Sequence, residues 1–240
     1  MEFIPVRTRR ILPPQDDIFS VLDESLPRLR GSDIVFIASK VLAIHQGRTV
    51  KIGEQIDKNA LIKSEAESFV PSKHPYGDFL LTIKGSTLIP SSGIDESNGK
   101  GYYILWPKHP EKLAREICEY LKKKNRIKKL AVVVTDSHTM PLRAGTIGIS
   151  IGYFGLEPLR EYRGTPDIFG RKLKHTRLNM ADSLAAMAVM TMGEGKERTP
   201  IVIARGVEGV KFTDIPTWRK MAINLKQDLY YPLLKVFKKP

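Results

Sequence analysis

The sequence predicts a globular protein that mixes helices with strands, and three observations carry that expectation. The 240 residues are 42% hydrophobic and 27% charged, ordinary for a chain that buries a core and far from the profile of disorder. Two short apolar runs, Asp33 to Ser39 and Lys129 to Thr135, read as buried strands. Leu178 to Met192 instead places Leu178, Ala181, Leu184, Ala185, Ala188 and Met192 on one helical face and stops at Gly193.

The other elements follow in chain order. Phe3 to Arg10 alternates as a strand until Pro13-Pro14 breaks it, and Asp16-Asp17 then opens an amphipathic helix through Ile18, Leu22 and Leu26. A second helix is expected over Lys58 to Phe69, then a strand from Asp78 to Ile83 and a loop rich in Gly, Ser and Pro from Gly85 to Gly101. Tyr102 to Trp106 reads as a short strand. Pro110 suits the first position of a helix whose stripe is Leu113, Ile117, Tyr120 and Leu121, with Cys118 beside it as a packing residue. The strand ending at Thr135 delivers Asp136 to its C-terminal end, a usual place for chemistry. Arg143 to Gly155 alternates like a strand punctuated by glycines, Pro200 to Ala204 is a further strand, and Thr217 to Pro240 is expected to be a helix with a basic end.

No apolar run approaches the roughly 18 residues that cross a bilayer. The opening Met-Glu-Phe-Ile-Pro-Val-Arg lacks the pattern of a signal peptide, and the single cysteine cannot form an internal disulfide. A soluble, cytoplasmic protein without membrane contact is the expectation. Thirty-nine Lys and Arg against 26 Asp and Glu give a net charge of +13. Residues 1–100 are balanced, so the surplus lies in 101–240 and suits an anionic partner: a nucleotide, a phosphorylated cofactor, a polyglutamate tail or a nucleic acid. The dense run from Lys122 to Lys129 reads first as a solvated face that offsets a helix dipole.

Common nucleotide motifs fail on spacing. The glycines at 145, 148, 152 and 155 do not make Gly-x-Gly-x-x-Gly, and Gly164 to Lys172 has Arg171-Lys172 where a phosphate loop needs Lys followed by Ser or Thr. Histidines 45, 74, 109, 138 and 175 lack zinc-ligand spacing, and no Gly-x-Ser-x-Gly elbow occurs. Two acidic loops remain, Gly93-Ile94-Asp95-Glu96-Ser97-Asn98 and Thr135-Asp136-Ser137-His138. Each sets a carboxylate beside hydroxyl or amide oxygens, the donor set that Mg²⁺ and Mn²⁺ share with nucleotide phosphates. The plainer reading is a pair of Asx turns.

In one order the chain carries Ser39-Lys40 after a strand, Gly93 to Asn98, and Val134-Thr135-Asp136-Ser137 leading to Pro141, Arg143 and Gly145. Tyr162-Arg163-Gly164, Asp167, Phe169-Gly170-Arg171, Met180-Ala181-Asp182 and Met192-Gly193-Glu194 follow. With these strings the sequence resembles the coenzyme F420-0:γ-glutamyl ligase family from about residue 4 to about 215. The resemblance implies an α+β fold of mixed and antiparallel sheets with packed helices, without a Walker loop, assembled as an intertwined homodimer. It makes 1–215 the catalytic region, as one unit or two intertwined subdomains, and leaves 216–240 as a C-terminal helix and basic tail. It implies GTP-dependent addition of L-glutamate to a carboxylate of an anionic cofactor, through an acyl phosphate, with Mg²⁺ or Mn²⁺. Residue by residue, Asp95 and Asp136 match the metal-binding, catalytic aspartates and Ser137 an adjacent hydroxyl ligand. Ser39, Lys40 and Asn98 match nucleotide-contacting positions, and Arg143 joins them.

The chain departs from the family pattern at Ile44, where a lysine is usual, at Thr139-Met140, where Gly-Arg is usual, and at Leu12-Pro13-Pro14 and Arg177. The resemblance implies coenzyme F420-0 or a tetrahydrofolate as the acceptor. Loss of cationic contacts favours the folate, which lacks a phosphodiester. Two other readings stay in play: a nucleotide-binding paralogue without turnover, and a basic nucleic-acid-binding protein. The acidic loops argue against the second, since without metal they repel phosphates.

Overall fold

The computed structural model describes residues 1–74 and 77–240. In chain order the elements are β1 (Glu2–Val6), α1 (Ile18–Ser25), β2 (Asp33–Ala38), α2 (Ser39–His45), β3 (Thr49–Lys51), α3 (Lys58–Glu65), β4 (Ser68–His74), β5 (Gly77–Lys84), β6 (Thr87–Pro90), β7 (Tyr102–Ile104), α4 (Pro110–Asn125), β8 (Leu130–Thr139), β9 (Thr146–Phe154), β10 (Leu159–Glu161), β11 (Arg177–Asn179), α5 (Met180–Met192), β12 (Ile201–Arg205) and α6 (Tyr231–Leu234). The fold is the expected mixture of α and β with several sheets.

A five-stranded sheet in the order β1-β12-β2-β8-β9 forms the centre, and only β2 and β8 run parallel. Helices cover both faces, which explains why Ile34 to Ala38 of β2 and Leu130 to Val134 of β8 are apolar without alternation. Val35, Ile37, Val132 and Val134 pack with Val21 and Leu22 of α1, Val41 of α2 and Leu113, Ile117 and Leu121 of α4. Ile34, Phe36, Ala131 and Val133 pack with Ala181, Leu184 and Ala188 of α5 on the other side. The glycines of β9 are consequences of close approach. A Cβ on Gly148 would lie 2.4 Å from the Ala185 carbonyl, and one on Gly152 2.6 Å from the Pro110 backbone.

A smaller core lies to one side, where Ile62 of α3 meets Ile94, Tyr103 and Leu105 beside the β4-β5-β6 sheet and the β3–β7 pair. Side-chain caps start α1 and α3: Asp17 accepts from Phe19 N and Ser20 N, and Asp57 from Asn59 N and Ala60 N. Cys118 is fully buried with its Sγ 3.4 Å from the Leu130 carbonyl, as a packing residue should be, and burial pushes its thiol up to about 12. Among the described residues no helix is long and apolar enough to cross a membrane.

Several expectations need correction, among them the strand read as ending at Thr135, which continues to Thr139 in pairing with β9, and Leu178, which lies in β11 and not on α5. The second helix ends at Glu65 and not at Phe69, because Ser68 onward pairs with β5. The Gly85 to Gly101 loop contains β6, paired to β5, and a single 3₁₀ turn at Ser91–Gly93. Helix α2, which follows β2 without a break, was not legible. Its N-cap, Ala38, makes no side-chain cap bond that a sequence could advertise. The tail is not one helix: 3₁₀ turns at Trp218–Lys220 and Leu225–Gln227 precede the four-residue α6, and Lys238 bridges back to Phe69.

Candidate active site

The parallel pair positions the site. Because Ala38 lies opposite Thr135, the chain leaves β2 at Ser39 beside the point where β8 presents Asp136. A cavity of about 640 Å³ opens there. Its walls are the segment Arg10 to Pro13, the start of α2 at Ser39 and Lys40, the loop bearing Asp95 and Asn98, the strand end at Asp136 and Ser137, and the turn from Gly193 to Thr199 after α5. The two acidic segments, with Asp95 and Asp136 41 residues apart in sequence, therefore converge, but only the first is a loop: Thr135 to His138 lies within β8, paired with β9 as far as Thr139.

Lys40 is the hub. Its ammonium lies 2.6 Å from Asp95 Oδ2 and donates to the Ser97 carbonyl at 2.7 Å and the Ser97 hydroxyl at 2.8 Å. Asp95 also accepts from Ser97 N at 2.7 Å, an Asx-type turn that aims its carboxylate at the lysine. Burial raises the Asp95 carboxyl, but Lys40 and the Ser97 N–H outweigh it, so the group is held below its ordinary range. Asn98, in the left-handed region at φ 57°, donates from Nδ2 to the Gly195 carbonyl at 3.2 Å and ties the acidic loop to the turn after α5.

Asp136 is the opposite case. Removal from water pushes its carboxyl up to about 7, against the Ser137 N–H at 2.9 Å and the Ser39 hydroxyl, with the Asp95 charge adding to the rise. A desolvated carboxylate without a bonded cation is the group that gains most when a cation arrives. Glu194 behaves alike: burial raises it, Lys40 lowers it, and Asp95 and Glu197 raise it further.

The structure thus brings Ser39, Lys40, Asp95, Asn98, Asp136 and Ser137 to one cavity, whereas Arg143 sits in the exposed turn between β8 and β9, outside its lining. Ile44 lines the cavity but is only 3% exposed and packs with Ala43 and Ile104, and Met140 lies outside. Asp182, from the Met180-Ala181-Asp182 string, accepts from Ser150 N at 2.8 Å and fastens β9 to α5. Glu194 was legible in the sequence only within the Met192-Gly193-Glu194 string, without a role in the site, and Arg10, Lys100, Lys196 and Arg198 in the lining were not singled out. The charged string Gly193 to Arg198 directly after a helix stop was the available signal.

Among the described residues no three His, Cys, Asp or Glu side chains form a ready metal cage. Asp95 and Asp136, with Ser39 and Ser137 in the same lining, are the residues that could hold a largely hydrated hard cation such as Mg²⁺. Carboxylates and cations surround one cavity beside the point where the parallel pair of β2 and β8 ends. The chain belongs to the F420-0:Gamma-glutamyl ligase family, whose model matches residues 6–206. It is a ligase, an enzyme class that forms amide bonds. It is 32% identical over 223 residues to the Coenzyme F420:L-glutamate ligase of Methanopyrus kandleri, covering 85% of this chain and 86% of that protein. The protein of the same name from Methanococcus maripaludis is 31% identical over 248 residues, with 96% and 97% covered, and that of Methanocaldococcus jannaschii 42% over 131 residues, with 54% and 52% covered.

Proposed function

We propose that this chain joins L-glutamate to a carboxylate of an F420-type acceptor, with GTP and a divalent cation, as a homodimer. The observation that carries the reading is the meeting of Asp95, Asp136 and Lys40 in one cavity that Arg10, Lys100, Lys196 and Arg198 also line. In the proposed sequence the acceptor carboxylate takes the γ-phosphoryl group, releasing GDP. The glutamate amine then attacks the acyl carbon, and inorganic phosphate leaves as the amide forms. Bound Mg²⁺ or Mn²⁺ would supply charge neutralisation for the triphosphate. The chain's own residues do the rest: Asp95 and Asp136 hold the cation, Lys40 and the cations of the 193–199 turn draw in phosphate, and the Ser97 and Asn98 bonds keep the acidic loop in place.

The acceptor reading moves from folate toward F420. The folate preference rests on Ile44, Thr139 and Met140 acting together, and these positions do not share a wall of the cavity. The names of the relatives support F420 as well. Homodimer assembly is supported by apolar side chains that stand in solvent, Leu142 in the β8–β9 turn and Ile168 and Phe169 between β10 and β11, the last two 92% and 88% exposed.

The deciding assay supplies glutamate, GTP and Mn²⁺ with either F420-0 or tetrahydrofolate and follows GDP and product mass. Product gaining one glutamyl unit on F420-0, with GDP in equal amount, is expected. GDP release independent of both acceptors, or turnover confined to tetrahydrofolate, would overturn the reading.

A further inference from the structure

At the opposite end of the central sheet, the segment before β2 and the link from α4 to β8 enclose a second hollow, lined by Arg28, Leu29, Arg30, Asn125, Arg126 and Ile127. It lies one strand length from the cavity described above, about 20 Å at roughly 3.3 Å per residue over the six residues of β2. Three of its six lining residues are arginines and none is acidic. Among the described residues, Arg28, Arg30 and Arg126 make no ion pair.

The charge is not accounted for by the helix end alone. The last turn of α4 already carries Lys122, Lys123 and Lys124, of which Lys122 pairs with Asp214 and Lys124 with Asp23. Arg28 and Arg30 belong to a different segment altogether. The nearest carboxylate in the chain to Arg30, Asp33, is buried and committed: it takes Arg205 through both oxygens, at 2.9 and 2.8 Å, and the Arg30 backbone N–H at 2.8 Å. The hollow is also held in shape. Asn125 accepts from Leu29 N at 3.2 Å and donates to the Leu121 carbonyl at 3.0 Å, while Leu29 is buried in the core as an anchor. Arg126 stands in the left-handed region at φ 55°, at a helix end where glycine is the usual occupant.

We propose that this hollow is a second anion site, distinct from the catalytic cavity, which binds a small phosphate-bearing ligand through the forked guanidinium groups of Arg28, Arg30 and Arg126. Guanidinium is the group suited to paired hydrogen bonds with phosphate oxygens, and here the backbone carrying the three is fixed before the ligand arrives.

Sodium tripolyphosphate is the probe, titrated calorimetrically into the full chain at low salt with EDTA present, so that metal-assisted binding in the catalytic cavity is suppressed. Four proteins are compared: wild type, Arg28→Ala/Arg30→Ala/Arg126→Ala, Lys40→Ala, and Lys226→Ala/Lys235→Ala/Lys239→Ala. The last removes the same charge elsewhere on the surface. The expected result is at least a tenfold loss of affinity in the arginine variant alone. An equal loss in the surface-lysine variant would mean a diffuse field and overturn the proposal, as would a loss confined to Lys40→Ala or an unaltered arginine variant. The three arginines are exposed, so the variant keeps its core, and an unchanged melting temperature checks this.

Discussion

Lys40 and Asp95 stand 2.6 Å apart and join the first turn of α2 to the loop before β7, two segments 55 residues apart in sequence. The pair satisfies each partner in the absence of a ligand. It also means that the same carboxylate cannot serve a cation fully until the lysine turns to a phosphate, so nucleotide and metal should bind cooperatively. Lys40→Ala is expected to lower kcat/KM by about tenfold or more and to weaken the dependence of metal affinity on nucleotide, measured by titrating Mn²⁺ with and without GDP.

Asp95→Asn and Asp136→Asn should each lower kcat by about 10²-fold or more with the fold retained, since each removes a carboxylate from the proposed cation site. Rates with saturating Mn²⁺, set beside melting temperatures, check this. Wild-type rates in both variants would remove these residues from the site.

Ile44→Lys, at a position where the family pattern has lysine, is expected to destabilise the chain by about 3 kcal/mol or more instead of shifting acceptor choice. It would place an ammonium at a position only 3% exposed and packed with Ala43 and Ile104, which costs desolvation. Urea unfolding gives the number.

The cavity wall from Arg10 to Pro13 hangs on Asp16, which accepts from both terminal nitrogens of Arg9, at 2.7 and 2.8 Å, and from Leu12 N at 3.0 Å. Arg9 holds the Asp16 carboxyl down at about 2, below its ordinary value of 3.8. A carboxyl lowered by folding adds stability above its unfolded value, and that share is lost as pH falls from about 4 toward 2. Asp16→Asn should therefore flatten the acid limb of the stability profile in that window. In turnover assays it should raise KM for the nucleotide more than it lowers kcat, as expected for a group that shapes a wall and touches no reacting atom.

Phe169→Glu and Ile168→Glu should shift the proposed dimer toward monomer without unfolding it, because both side chains stand in solvent within one chain. Sedimentation velocity at several concentrations reads this out, and a monomeric wild type would refute the assembly.

Much of the fold was legible because it rests on pattern. The apolar runs of β2 and β8, the stripe of α4 and the glycine stop of α5 each announce their element. What was not legible depended on partners distant in sequence. Phe69 reads as the end of a helix until β5 pairs with it, and the serine-rich stretch before Asp95 hides β6 for the same reason. In the site, Asp95 and Asp136 could be found as turn carboxylates beside hydroxyls. Glu194 was visible only as part of the Met192-Gly193-Glu194 string, and Arg10 and Lys100, remote from it in sequence, meet the 193–199 turn only after the sheet has formed. Arg143 shows the converse: adjacency in a motif did not carry it into the cavity.

The match of Ala38 to Thr135 across the parallel pair makes the chemistry a matter of counting. Successive residues of a strand face opposite sides and β8 has one register shift, between Val134 and Thr135, so a residue gained or lost in β8 ahead of that shift would change the face on which Asp136 stands. Substitution among Val132, Val133 and Val134 can be absorbed by repacking. A change of length cannot, and single-residue insertions scanned along β8 should abolish activity as completely near Leu130 as beside Asp136, while the same insertions in the β8–β9 turn are tolerated by the site.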